Sequence, residues 1–285
     1  MRLGFALRST VFHPSLIPEA AALLDRAGVD EVWFPDVGGS FDALDLCAVA
    51  LGATRRARFG TGVIRAGEQD AARLAVRART LAESSGGRFV LGLGAGSARG
   101  PSAVKAVADL AADFRRAYGT GHPPVFFAAL REAMLREAVL RADGAILNFC
   151  PPSYVSRILP GERPRGFTVA CYVKVFFSER GDADARRALV EEVSSYDRYP
   201  GYRAMFKEAG LAGPIALLEP GARDLPDPIL EFVRANPSQR ELEDLLEAFA
   251  RAGVDVPVVY PYVSGGRAYQ VGVLERLSGL AAPTG

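Results

Sequence analysis

The sequence predicts a (β/α)8 TIM barrel with a helical insertion between the seventh and eighth strands. Three observations predict it. First, eight apolar runs of strand length alternate with amphipathic stretches of helix length. That is the pattern of a parallel sheet buried on both faces. Second, a helix-to-strand joint recurs. RAGVDEVWFPD (26–36) and RAGVDVPVVYP (251–261) are close copies, and SGGRFVLGLG (85–94) and RADGAILNF (141–149) are looser ones. In each, a helix ends near Gly or Asp and an apolar strand follows, and glycine tolerates the left-handed conformation that closes a helix. Third, 285 residues is the right length for eight such units. An open doubly wound sheet shares the alternation and is the rival.

The elements follow in order. Strands are predicted at 3–7, 31–35, 58–63, 89–94, 125–128, 145–149, 168–177 and 256–260, where apolar residues run on without helical periodicity. Helices are predicted near 16–27, 42–55, 71–85, 103–118, 131–141, 152–159, 182–196, 238–252 and 270–280. Residues 178–255 are too many for one crossover, and they contain the helical DADARRALVEEVSSYDRYPGYRAMFKEAGL and the proline-rich LLEPGARDLPDPI. This segment is read as a helical insertion within a single domain spanning 1–285.

Composition excludes several classes. The chain is 49% hydrophobic and 24% charged with a formal net charge of +1. That is ordinary for a globular protein and gives no general pull toward nucleic acid or an anionic membrane. No apolar run reaches membrane-spanning length, and the N-terminus reads as a buried first strand rather than a signal peptide. Cys47, Cys150 and Cys171 are scattered, which suits reduced thiols and a cytoplasmic location. With only two histidines, a multi-histidine metal site is ruled out.

RFVLGLGAGS (88–97) places Gly92, Gly94 and Gly96 at alternate positions where the fourth strand ends. A dinucleotide fingerprint needs GxGxxG in a first βα turn that opens a helix. Here the spacing is GxGxG, in the fourth unit, and ARGP follows without opening a helix at once. Alternate strand residues share a face, so these glycines would clear one side of a strand end. In a barrel, that end belongs to the active face. Gly92 has an alternative role, relieving packing inside the barrel.

Few residues suggest acid–base chemistry. His13, in the loop after the first strand, could donate a proton or cap a turn. His122 precedes the fifth strand and reads as structural. Asp36 ends the second strand; it could bond a cofactor ring or cap its own loop. Arg8, Arg65 and Arg99 follow strands one, three and four, where they could hold anionic groups or lie in solvent. Asn148 ends the sixth strand and could bond a cofactor tail. Lys174 lies in CYVKVFF, where a buried ammonium requires a partner. Tyr260 and Tyr262 could line a ring pocket or serve as packing.

The chain resembles the luciferase-like flavin and deazaflavin oxidoreductases. The stretches that carry the likeness are RFGTGVIRAG (58–67), SSGGRFVLGLGAGS (84–97), PVFFAALREAMLREAVLRADGAILNFCPPSYV (124–155), FTVACYVKVFF (167–177) and RAGVDVPVVYP (251–261). Within that family the stretch at 124–155 is most similar to the methylene-tetrahydromethanopterin reductases, which use coenzyme F420. The resemblance implies a TIM barrel, a homodimer and an isoalloxazine-type ring lying across the strand ends. It implies a non-prolyl cis peptide at Gly62–Val63 supporting that ring. It places Asp36, Gly94, Ala95, Gly96 and Ser97 near the ring, and Ala129, Leu130 and Arg131 at the phosphate, where a helix start offers N–H groups. Two departures stand out. Some relatives have an acidic Glu at the position of Ser97, and the family's usual Gly-Pro is here REA at 131–133. Only residues 98–123 join strands four and five, where many relatives have a long insertion.

The expected function is hydride transfer between a deazaflavin, F420, and a small organic acceptor, with His13 and Asp36 as the catalytic candidates. Alternatives are an FMN-dependent monooxygenase on the same barrel, a cofactor-binding homologue without turnover, and an unrelated barrel acting on a phosphorylated substrate.

Overall fold

A computed structural model describes residues 2–36, 41–219 and 225–281. The strands are β1 (Gly4–Ala6), β2 (Glu31–Phe34), β3 (Arg58–Thr61), β4 (Ile64–Arg65), β5 (Phe89–Gly94), β6 (Val125–Ala128), β7 (Gly144–Asn148), β8 (Thr168–Ser178), β9 (Val233–Ala235) and β10 (Val256–Ser264). The helices are α1 (Ile17–Ala27), α2 (Ala43–Gly52), α3 (Ala71–Ser84), α4 (Gly100–Tyr118), α5 (Glu132–Arg141), α6 (Pro152–Ile158), α7 (Asp182–Asp197), α8 (Pro200–Glu208), α9 (Ala212–Ala216), α10 (Asp227–Leu230), α11 (Gln239–Arg251) and α12 (Arg267–Ser278).

All pairings are parallel, and β10 pairs with both β1 (Gly4 with Val258) and β8 (Val256 with Ala170). The sheet therefore closes, which excludes the open doubly wound alternative. Inside the barrel, Ala6, Trp33, Val90, Phe126, Ile146, Ala170, Tyr172, Val256, Val258 and Tyr260 pack as one core. A larger core fills the layer between strands and helices. Large rings on some strands require small residues opposite: a Cβ on Gly60 would stand 2.6 Å from the Trp33 ring.

The repeated RAGVD joint has a common mechanism. Gly28 and Gly253 adopt left-handed φ of 89° and 94°. In both copies the next residue donates back across the helix end, Val29 to the Leu24 carbonyl (3.1 Å) and Val254 to the Phe249 carbonyl (3.1 Å), which closes the helix. The aspartate then clasps the neighbouring strand. Asp30 Oδ2 accepts the Leu3 N–H at 2.8 Å and Asp255 Oδ2 accepts the Val169 N–H at 2.8 Å. Asp143 of the looser copy does the same for Val125, at 2.8 Å. Each aspartate N–H returns the bond to the carbonyl of the same residue it clasps. The repeat thus couples a helix stop to strand registration.

Several boundaries differ from the sequence reading. The third barrel strand, expected as 58–63, breaks into β3 and β4. The fourth helix starts at Gly100 rather than 103, with Pro101 in its first turn, where a proline ring is preorganised for helix. Residues between β8 and β10 form α7 to α11 and the unforeseen β9, which adds to the outer edge of β8 (Lys174 with Val233). Among the described residues no helix is long and apolar enough to cross a membrane.

Candidate active site

The carboxyl ends of the strands form a mouth with two unlike halves. On the side of β3, β5 and β6 the residues are small. The Gly62–Val63 peptide is cis, at the bond where the resemblance implied one, and it separates β3 from β4. Gly62 donates to the Phe34 carbonyl at 2.8 Å, and the Tyr172 hydroxyl donates to the Gly62 carbonyl at 3.3 Å. Tyr172, from the opposite wall, thus braces the turn; a Cβ on Gly62 would overlap its hydroxyl.

The alternate glycines answer to this turn. A Cβ on Gly92 would overlap the Thr61 carbonyl, one on Gly94 the Val63 Cγ2, and one on Gly96 would lie 3.1 Å from Arg65 Cβ. Gly92, Gly94 and Gly96 therefore match Thr61, Val63 and Arg65 across the neighbouring strand. This corrects the expectation that they clear space for something broad, because the vacated volume is filled by the turn itself. Gly92 also meets Ile146 Cδ1, at 3.0 Å, so its packing role inside the barrel holds. The accessible part of this half is instead Gly62, Val63, Ala95 and Ala128, all half-buried beside fully buried strand neighbours.

The other expected site residues are spread around this half. Asp36 is half-buried at the end of β2, with Oδ2 3.4 Å from Arg65 Nε. Ser97 is exposed, in a turn tied by the Ala98 N–H to the Ala95 carbonyl. Arg99 caps that turn through the Gly96 and Ala98 carbonyls. Ala129 is buried and bonded to the Ile146 carbonyl, and Leu130 is half-buried. Arg131, at the start of α5, is exposed and paired with Glu208 of α8 at 2.5 Å. An anion at this helix end would have to compete with that carboxylate. Asn148 donates to the Tyr202 hydroxyl at 2.6 Å, while its Oδ1 is buried with no hydrogen-bond partner among the described residues. His13 is exposed at the rim, and its Nδ1 receives the Ser15 N–H, so the ring caps a turn. His122 lies away from the mouth, packed on Phe114 and Tyr118.

The half formed by β7, β8, β10 and β1 is polar and covered. The Lys174 side chain is fully buried, with Nζ 2.9 Å from Glu192 of α7 and the rings of Phe149 and Tyr196 at 4.1 and 3.8 Å. Glu192 Oε1 also accepts from Tyr262 and, at 3.5 Å, from Arg8. Burial alone would raise the Glu192 pKa; Lys174, Tyr262 and Arg8 reverse this and hold it below the usual carboxylate range. Tyr196, Tyr199, Tyr202 and Phe206 extend the cover from α7 and α8. The buried lysine required a partner, and Glu192 is that partner. Nothing in the sequence marked Glu192, because it is one acidic residue on a charged helix. Tyr260 and Tyr262 stack at 5.0 Å, Tyr260 buried in the inner core and Tyr262 packed against it, which is the packing alternative.

Two clefts of about 300 and 420 Å³ lie at the opposite end of the barrel, around Arg2, Glu31 and Arg58 and around Arg58, Asp143 and Arg165. They include none of the expected site residues.

The arrangement of a cis turn nested on a glycine strand invites comparison with known proteins. Residues 1–117 match the family model of the luciferase-like monooxygenases. Solved structures align along nearly the whole barrel. An F420-dependent secondary alcohol dehydrogenase in complex with an F420–acetone adduct has a TM-score of 0.75 at 16% identity, covering 98% of this chain and 97% of that one. The coenzyme F420-dependent tetrahydromethanopterin reductase of Methanopyrus kandleri has a TM-score of 0.69 at 17% identity, covering 98% and 96%. The FMN-bound oxygenating constituent of 3,6-diketocamphane monooxygenase from Pseudomonas putida has a TM-score of 0.60 at 15% identity, covering 100% and 98%. At these identities the likeness is one of fold.

Proposed function

We propose that this protein is an oxidoreductase that transfers a hydride between a deazaflavin of the F420 type and a small organic acceptor. The observation that carries the reading is the Gly62–Val63 turn, half-buried at the mouth, nested on Gly92 and Gly94 and bonded by the Tyr172 hydroxyl. Gly62, Val63, Ala95 and Ala128 are half-buried there and, Val63 apart, carry no side chain larger than a methyl group. The orphaned Asn148 Oδ1 nearby is an acceptor suited to a hydroxyl-bearing tail. These features fit a planar heterocycle with a polar chain. A bound deazaflavin supplies the hydride chemistry itself.

The protein's part is to bind, orient and exclude water. Gly62, Val63 and Ala95 would support the ring, with Gly94 behind Val63, and Gly96 and Ser97 would border it. Asn148 would hold the tail, with Ala129, Leu130 and Arg131 at its phosphate once Glu208 releases the guanidinium. Asp36, steadied by Arg65, is the better placed proton carrier; His13 would act through Nε2, since Nδ1 is engaged. The three buried, unpaired thiols suit a cytoplasmic setting, and exposed Val49 and Val76 on α2 and α3 suit a homodimer, which light scattering of the purified protein tests.

A second reading, an FMN-dependent monooxygenase, is favoured by the match of residues 1–117 to the luciferase-like monooxygenases and by the FMN-bound neighbour of the same fold. Fluorescence titration with each cofactor separates the two. Saturable F420 binding with weaker or no FMN binding is the expected result. Tight FMN binding without F420 binding would overturn the proposal, and binding of neither would reject both readings.

A further inference from the structure

We propose that Arg8, Lys174 and Tyr262 form a subsite for the carboxylate of an organic-acid acceptor, and that Glu192 is its resident occupant until the acceptor displaces it. The inference rests on the hydride-transfer reading for the word acceptor; the subsite itself stands on geometry.

Three donors from three barrel strands converge on one oxygen, Glu192 Oε1. Lys174 Nζ donates from β8 at 2.9 Å, the Tyr262 hydroxyl from β10, and Arg8 Nη1 from just after β1 at 3.5 Å. Arg8 also donates to the Tyr262 hydroxyl at 2.9 Å, so the trio is a connected network fixed to the barrel wall. The anion it holds is different in kind: Glu192 belongs to α7, outside the barrel. The charges do not balance, because two cations face one carboxylate. Arg8 Nε is buried with no hydrogen-bond partner among the described residues, so donor capacity exceeds what Glu192 uses. A structural ion pair needs neither the second cation nor the spare N–H. The rings of Phe149 and Tyr196, stacked on each other at 4.8 Å, pack against Lys174 Nζ, so the volume an acceptor's carboxylate would take is the one the Glu192 carboxylate now fills, and that volume is shaped for a planar group. The position is on the carboxyl-end mouth, where an acceptor would have to sit to meet a ring over the cis turn.

Glu192 is then a tethered competitor whose effective concentration weakens any free carboxylate. Replacing Glu192 by Ala removes a CH2–COO− fragment, the size of acetate. The test is an acetate titration of the full chain, with and without F420, at ionic strength held constant with chloride. It is followed by near-ultraviolet circular dichroism of the tyrosine cluster. Glu192→Ala should saturate at an acetate concentration at least tenfold below that of the unaltered protein, and the added Lys174→Met substitution should abolish saturation. If Glu192→Ala does not fold, Glu192→Gln serves, with a smaller shift in the same direction. Equal midpoints in variant and unaltered protein, no saturation, or saturation that survives Lys174→Met would overturn the subsite. Inorganic phosphate binding tenfold tighter than acetate would overturn its assignment to a carboxylate. Because acetate binding needs no F420, failure of the subsite is distinguishable from failure of cofactor binding.

Discussion

Gly94→Ala is the sharpest probe of how the site is built. A methyl group there would lie 3.4 Å from Val63 Cβ and 3.5 Å from Ala128 Cβ, and would overlap Val63 Cγ2 outright. Carbon contacts are ordinarily about 3.5–4.0 Å, so Val63 or the strand must move. Val63 is β-branched, which leaves its side chain few rotamers in which to escape. Overpacking of this sort costs about 2–3 kcal/mol. Val63→Ala alone removes two methyl groups from a half-buried side chain, which costs about 1 kcal/mol. If the glycine exists to admit Val63, the double variant should recover most of the loss, with a coupling near 2 kcal/mol in the stabilising direction. Urea unfolding of the four proteins measures this. Gly94→Ala within about 0.5 kcal/mol of the unaltered protein, or additive losses, would refute the reasoning and return Gly94 to the role of open cofactor floor.

Asp25→Ala removes a carboxylate that accepts N–H groups from Arg55, Arg56 and Ala57 at 3.0, 2.9 and 2.6 Å. It should cost about 3 kcal/mol in urea unfolding, at roughly 1 kcal/mol per bond. Lys174→Met strands Glu192 among buried rings and should cost about 3 kcal/mol, whereas Lys105→Met, which breaks an exposed ion pair with Asp109 within α4, should cost well under 1 kcal/mol. The Glu192 carboxyl is held below its usual range, so its contribution is present above the unfolded value of about 4.3 and is lost as pH falls through the lower folded value. Melting temperature should therefore drop more steeply below about pH 5 in the unaltered protein than in Glu192→Gln; parallel curves would exclude that contribution.

Much of the fold was legible because it rests on local signals. Apolar runs, helix stops at Gly28 and Gly253, and the RAGVD repeat all lie within a few residues of the structure they specify. The role of the repeat's aspartate was not legible, since Asp30 and Asp255 bond strands 27 and 86 residues away. The same distance hid the meaning of the alternate glycines. Sequence showed that Gly92, Gly94 and Gly96 lack side chains; only the neighbouring strand shows that Thr61, Val63 and Arg65 occupy the gap. The cis bond came from family likeness, not from any local rule. Lys174 announced a buried charge, but Glu192 sits among other acids on α7, and nothing local distinguishes it. β9 is three residues long, too short to carry a periodicity.

The central claim is that a planar cofactor rests on the Gly62–Val63 turn. A crystal structure of the protein soaked with F420 tests it most directly. The ring should lie against the backbone of Gly62–Val63 and Ala95, with its tail reaching Asn148. A ring found in the clefts around Arg58 at the far end of the barrel, or α7 and α8 closed over a mouth too narrow to admit it, would contradict the claim.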